Sequence, residues 1–176
     1  MRALLALLSL FFFIMPVRAA HINVAYGYGV DNLTIARLGF YSKIVDKWMQ
    51  SDTWRLDVLL DYGAAYLHTN KSECSTRLNV INLNPILRFK ARNFTQHKLF
   101  PYLDLSIGLS YASNKNFGCR NLGSHWLFED RLGLGVVWGQ NQQFELGYRF
   151  QHYSNAYLSS PNHGINLGML NFAIKF

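Results

Sequence analysis

A chain of 176 residues, half of them apolar, can bury one sizeable core but is short for two ordinary domains. Its formal charge of +7 suits a phosphate-rich partner. The basic residues form no cluster, however, and the chain begins like an exported one, which argues against nucleic acid and for anionic lipid or lipopolysaccharide. Two cysteines at a spacing that fits no metal or redox motif, and histidines without ligand-like spacing, give no sign of a metal site.

The first element is a targeting segment. Arg2 makes a short basic start, Ala3 to Pro16 is an almost unbroken apolar run, and Val17-Arg18-Ala19 fits a small-residue cleavage site. The run is short for a membrane span of ~20 residues, so a removable signal over 1–19 is expected in preference to a single-pass anchor. Its loss takes Arg2 and Arg18 with it and lowers the charge to about +5. Residues 20–176 then form a single domain.

Segments in which apolar residues recur at every second position follow along that domain, at about 22–30, 33–45, 54–67, 77–90, 100–113, 124–138, 143–154 and 166–176. Alternate side chains of a strand point to opposite faces. In the sixth segment Trp126, Phe128, Leu132, Leu134, Val136 and Trp138 share one face, opposite Glu129, Arg131, Gly133, Gly135 and Val137. In the last, Leu170, Phe172, Ile174 and Phe176 line up opposite Met169, Asn171, Ala173 and Lys175. Residues 40–48 and 77–87 fit either phase. Eight strands is an even number and the smallest common size of an outer-membrane barrel. The terminal Phe176 resembles the C-terminal signal of such proteins. A soluble lipocalin-like barrel would turn the apolar face inward. The export segment, the terminal aromatic and the glycines scattered inside the alternating runs favour the membrane form. The expected fold is therefore all-β: an eight-stranded antiparallel transmembrane β-barrel of the bacterial outer membrane.

With both termini in the periplasm, the breaks at 46–53, 91–99 and 139–142 are periplasmic turns. Those at 68–76, 113–123 and 155–165 face outside. Cys74 and Cys119 then lie in neighbouring external loops, where an oxidising compartment permits a disulfide; two unrelated buried thiols are the alternative.

The seventh strand carries the chemistry. Phe144, Leu146, Tyr148 and Phe150 form its apolar face, and His152 and Ser154 continue that same face. The two lie roughly 6.5–7 Å apart at Cα by strand rise, at the outer end, near the headgroup boundary. A nucleophile and a base aimed at lipid point to an enzyme that cuts lipids.

His152-Tyr153-Ser154-Asn155-Ala156 followed by Pro161-Asn162-His163-Gly164-Ile165 resembles the signature of the lipid A 3-O-deacylase family (PagL). So do Asn121-Leu122-Gly123-Ser124 and Phe128-Glu129-Asp130-Arg131-Leu132-Gly133, and the resemblance spans the chain after the signal. It implies a cofactor-free serine esterase acting on lipid A in lipopolysaccharide, with Ser154 as nucleophile and His152 as base. Asn155 and Asn162 match asparagines that stabilise the oxyanion; turn chemistry is the alternative for both. The family's acid, twelve residues after the serine, is replaced here by Asn166. In a serine protease, replacing the triad acid by its amide costs about 10⁴ in rate, yet papain-like enzymes orient a histidine with an asparagine. The alternative function is therefore a non-catalytic barrel with a structural or surface-interaction role. A homodimer is left open.

Around the site, antiparallel counting through a hairpin at 139–143 sets Asp130 opposite His152, outward, as a supporting group. His163 is expected as an exposed loop histidine. Lys71, Arg77, Lys115 and Arg120 either contact lipid A phosphates or hydrate the loops.

Overall fold

Alternation over the chain resolves into ten strands in the computed structural model, which describes residues 20–71, 74–92 and 99–176. The expected signal over 1–19 lies outside the described residues, as do positions 93–98 of the expected 91–99 turn. The strands are β1 (His21–Gly29), β2 (Leu33–Gln50), β3 (Trp54–Thr69), β4 (Arg77–Ala91), β5 (Leu99–Ala112), β6 (Asn116–Phe117), β7 (Arg120–Asn121), β8 (Trp126–Trp138), β9 (Phe144–Ser154) and β10 (Ile165–Lys175). Eight of them close in the order β1-β10-β9-β8-β5-β4-β3-β2, every neighbour antiparallel. Closure leaves no sheet edge, the condition for crossing hydrocarbon with strands.

Burial settles which face is which. Ile107 is 68% exposed and Leu170 63%, while Asp61, Asn84 and Gln151 are wholly buried. Apolar side chains face out and polar ones in, the reverse of a lipocalin-like barrel. The middle of the lumen is an ionic network rather than a channel. Asp61 accepts from Arg37 at 2.7 Å and also pairs with Arg131. Arg131 in turn pairs with Glu129, which accepts from Ser110 at 2.6 Å. Nearer the periplasmic end, Arg88 holds Asp104 and Glu145, each at 2.8 Å. Towards the outer end the lumen turns apolar, with Leu33, Leu67, Leu78, Phe117, Leu122 and Tyr153 among the residues packed there.

Two stretches that fit either phase now have a physical reason. β2 runs to Gln50, not 45, and its pairing with β3 is irregular between Lys43 and Val45 and again between Val45 and Met49. Both faces of that extension are exposed beyond Ile44, so nothing imposes alternation, and the expected 46–53 turn shrinks to 51–53. In β4, Leu78 and Val80 point into the apolar outer lumen while Ile81 and Leu83 face out, so both faces are apolar there. The external 113–123 break contains the short β6–β7 hairpin, which seats Phe117 in the barrel mouth.

Register also fixes the slant. Starting from Ser154, the cross-strand partners run Phe128, Leu109, Leu83, Tyr62, Phe40, Ile22, Ile174 and back to β9 at Phe144. The row returns ten residues nearer the periplasmic end of the same strand. A stagger of that size over eight strands tilts them by about 40°.

Candidate active site

Three adjacent strands deliver the site. β9 pairs with β10 and β8 so that His152 lies between Asn166 and Asp130 in one cross-strand row. All three side chains are on the outward face, because each is an even number of residues from an exposed apolar neighbour: Phe150, Leu170 and Leu132. Asn166 Oδ1 is 2.6 Å from His152 Nδ1. An amide oxygen can only accept, so Nδ1 carries the proton and Nε2 keeps its lone pair. Nε2 lies beside the backbone of Gly164.

Asp130 lies one strand spacing from His152 on the other side, with neither a hydrogen bond nor an ion pair among the described residues. Directly opposed residues have Cβ atoms roughly 4.5–5.5 Å apart, so the Asp130 side chain starts from a position beside that of His152. Ser154, half-buried two residues along, likewise makes no hydrogen bond among the described residues. Catalytic hydrogen bonds are often long in the absence of substrate and tighten when it binds.

The 155–164 loop folds over these groups. Asn155 is 2% exposed and donates its side-chain amide to Leu122 O at 2.8 Å, Ser159 O at 2.9 Å and Pro161 O at 3.2 Å. Its backbone N–H donates to Asn162 Oδ1 at 2.8 Å. These bonds hold the reversal after the serine, where Ala156 and Tyr157 adopt φ of 50° and 60°, costly for residues with a Cβ. The side-chain donors of Asn155 are therefore engaged in loop structure, which is the turn chemistry weighed as its alternative. Asn162 keeps its Nδ2 without a hydrogen-bond partner among the described residues.

Gly164 faces the histidine. A Cβ there would lie 2.6 Å from His152 Cε1 and 3.2 Å from Nε2, so the imidazole packs against bare backbone. His163 is exposed as expected but bound: its N–H donates to Asn121 O at 3.2 Å, and its Nδ1 accepts from the Asn121 N–H at 3.2 Å. Gly123, with φ of 70°, lets the β7–β8 loop touch the same segment, since a Cβ there would lie 2.1 Å from Pro161 O. The glycines sat in the motifs from the start; what they touch is a matter of loops remote in sequence.

Beyond this, the outer loops are tied to one another. Cys74 and Cys119 form a disulfide. Lys71 and Arg120 pair with Asp31 at 3.1 and 2.5 Å, in the turn between β1 and β2, and hold its carboxyl below the usual range, the Lys71 hydrogen bond first. Those two cations serve loop structure, whereas Arg77 and Lys115 are exposed.

Comparison with known proteins places this arrangement. A family model described as "Lipid A 3-O-deacylase (PagL)" matches residues 34–175. The lipid A deacylase PagL of Pseudomonas aeruginosa is 30% identical over 152 residues, 86% of this chain and 84% of that one. Its counterpart from Bordetella bronchiseptica is 25% identical over 156 residues, 88% of this chain and 83% of that one. A crystal structure of the outer membrane enzyme PagL superimposes with a TM-score of 0.80 at 28% identity, covering 88% of this chain and 98% of that one.

Proposed function

The chain belongs to the lipid A 3-O-deacylase (PagL) family, and we propose that it is an outer-membrane esterase that hydrolyses the 3-O-linked 3-hydroxyacyl chain of lipid A. Residues 1–19 are, in this reading, the export signal, and 20–176 the enzyme. The observation that carries the mechanism is the 2.6 Å contact of Asn166 Oδ1 with His152 Nδ1, which leaves Nε2 as the basic nitrogen on the serine's face of the strand.

Ser154 Oγ attacks the ester carbonyl carbon while His152 Nε2 takes its proton. The carbonyl oxygen becomes an oxyanion, and the Asn162 amide is the side-chain donor at hand for it; Asn155 acts one step back, through its backbone N–H on Asn162 Oδ1. The C–O bond to the sugar then breaks, and His152 returns the proton to the leaving alcohol. Water, activated by the same nitrogen, attacks the acyl-serine; the hydroxy fatty acid departs and Ser154 regains its proton. Asn166 fixes the imidazole without offering a charge to the imidazolium. Asp130, one strand away, is the carboxylate that offsets it from the other side.

The test is mass spectrometry of lipid A after incubation with the detergent-purified protein. Wild type removes one 3-hydroxyacyl mass, and Ser154→Ala leaves the substrate intact. The absent acid at Asn166 favours a second reading, a non-catalytic barrel of the same fold. No mass loss from folded wild type, with activity gained in Asn166→Glu, would establish that one.

A further inference from the structure

At the periplasmic mouth of the barrel lies a chamber of about 600 Å³, with His21, Tyr41, Lys43, Arg55, Lys90 and Lys175 in its wall. The stagger of the barrel brings the three lysines to one level. From Lys175 the row of cross-strand partners runs His21, Tyr41, Asp61 and Asn84, rising toward the outer end. Ten residues of stagger over eight strands shift a level by about 1.25 residues per strand. The residues level with Lys175 therefore lie about 2.5 positions beyond Tyr41 on β2 and about five beyond Asn84 on β4, within a residue of Lys43 and Lys90. β10 and β4 are four places apart in the ring of eight, so Lys175 and Lys90 come from opposite walls. Such walls stand about 16 Å apart at Cα. A lysine reaches about 6 Å from its Cα, so the two ammonium groups can close on one ligand near the axis.

The carboxylates of the chamber are already engaged. Asp46 accepts from Lys43 at 2.6 Å. Asp57 faces Lys43 at 3.2 Å and Arg55 at 3.1 Å, and accepts from the Lys47 N–H at 3.0 Å. Glu145 holds Arg88 at 2.8 Å, with His21 Nε2 3.6 Å away. Lys90 and Lys175 pair with no carboxylate among the described residues. Lys90 is only 7% exposed, and its Nζ donates to Gln142 Oε1 at 2.5 Å. An ammonium carries three donors, so two of them remain. The Tyr41 hydroxyl and His21 Nδ1 are likewise buried without a hydrogen-bond partner among the described residues. Buried donors in folded proteins are paired by protein, water or an ion, and a buried ammonium calls for a counter-charge.

We propose that this chamber binds a phosphate group arriving from the periplasm, held between Lys90 and Lys175 with the Tyr41 hydroxyl as a further donor. Lysine suits phosphate as a point charge with rotatable donors. A tetrahedral oxyanion presents oxygens in several directions, so it takes donors from opposite walls at once. A cleft with charges of one sign and low-dielectric walls concentrates their field on it. The phosphate is either free or the headgroup of a phospholipid of the periplasmic leaflet. Both have access, because the mouth lies at headgroup depth: Trp138 and Phe144, whose rings are 5.7 Å apart on the outer wall, are the sequence neighbours of Val137 and Glu145 in the chamber. The site is at the opposite end of the barrel from Ser154 and does not depend on the esterase reading.

The experiment is isothermal titration calorimetry of the protein in dodecyl maltoside, with inorganic phosphate and glycerophosphoglycerol as probes. Wild type binds one phosphate group per barrel. Lys90→Gln with Lys175→Gln weakens binding by about tenfold or more, since each removes a charged donor. Lys175→Gln alone, which breaks no side-chain hydrogen bond, weakens it by about threefold or more and keeps the test in force if the double variant fails to fold. Lys115→Gln, in an exposed outer loop, retains the wild-type affinity. Tighter binding of the phosphodiester assigns the chamber to a lipid headgroup; equal or tighter binding of inorganic phosphate assigns it to the free ion. Absence of binding to wild type, equal affinity in wild type and Lys175→Gln, or an equal loss in Lys115→Gln overturns the site. Ser154→Ala titrates as wild type does, so the outcome is separate from whether the barrel hydrolyses lipid A.

Discussion

At His152 the acceptor for Nδ1–H is an amide oxygen 2.6 Å away rather than a carboxylate. In the proposed mechanism it supplies the orienting half of a triad acid's role, since an amide with its oxygen turned to Nδ1 selects the same tautomer. It does not supply the electrostatic half, because an amide carries no negative charge to offset the imidazolium. Asn166→Glu restores it. The expected outcome is a kcat higher by about 10- to 1,000-fold, below the ~10⁴ cost of the reverse change in a protease because the tautomer is already right and Asp130 stands nearby. KM stays near its wild-type value, measured on lipid A by release of hydroxy fatty acid. Equal rates for the two forms would show that the charge is already fully supplied.

Among the elements, the β6–β7 hairpin links the disulfide to the site. Cys119 is bonded to Cys74 across 45 residues, and Asn121, two positions on, holds His163 from both sides. His163 stands between Asn162 and Gly164, so the disulfide, the hairpin and the 155–164 loop form one mechanical unit. A closed loop of that length is worth about 4 kcal/mol in the chain-entropy model. Replacing both cysteines with serine should lower the thermal midpoint of the barrel, followed by its heat-modifiable mobility in gels, and should make esterase activity fail at a lower temperature still. Reductant should do the same to wild type and nothing to the double variant. The hairpin itself was not legible in the sequence: two-residue strands offer no period, and Phe117 is recognisable as a buried anchor only once the barrel mouth exists to receive it.

For the whole molecule, the lumen decides stability. Asp61 sits among Asn23, Arg37 and Arg131, contributed by β1, β2 and β8 and hydrogen-bonded to it directly. Removing one member of a buried ion cluster leaves the others uncompensated, at a typical cost of 3–5 kcal/mol. Asp61→Ala should lower the urea midpoint for folding into vesicles accordingly, while Asp61→Ala with Arg37→Leu recovers part of the loss. Additive losses from the two changes would mean that the pair is not coupled.

Much of this was present in the chain before it folded. Period-two alternation is a local property, so it determined that Glu145, Arg149 and Gln151 point inward and that His152, Ser154 and Asn166 share the outward face. Asp130 opposite His152 followed as well, because one short hairpin fixes the register of the two strands it joins. The tertiary structure alone decided the rest. The commitment of Asn155 to three carbonyls, the contact of Gly164 with the imidazole and the latch of Asn121 on His163 depend on loops remote in sequence. The slant of the strands depends on the stagger of ten residues with which the barrel closes, a sum over every strand pair that no single segment encodes.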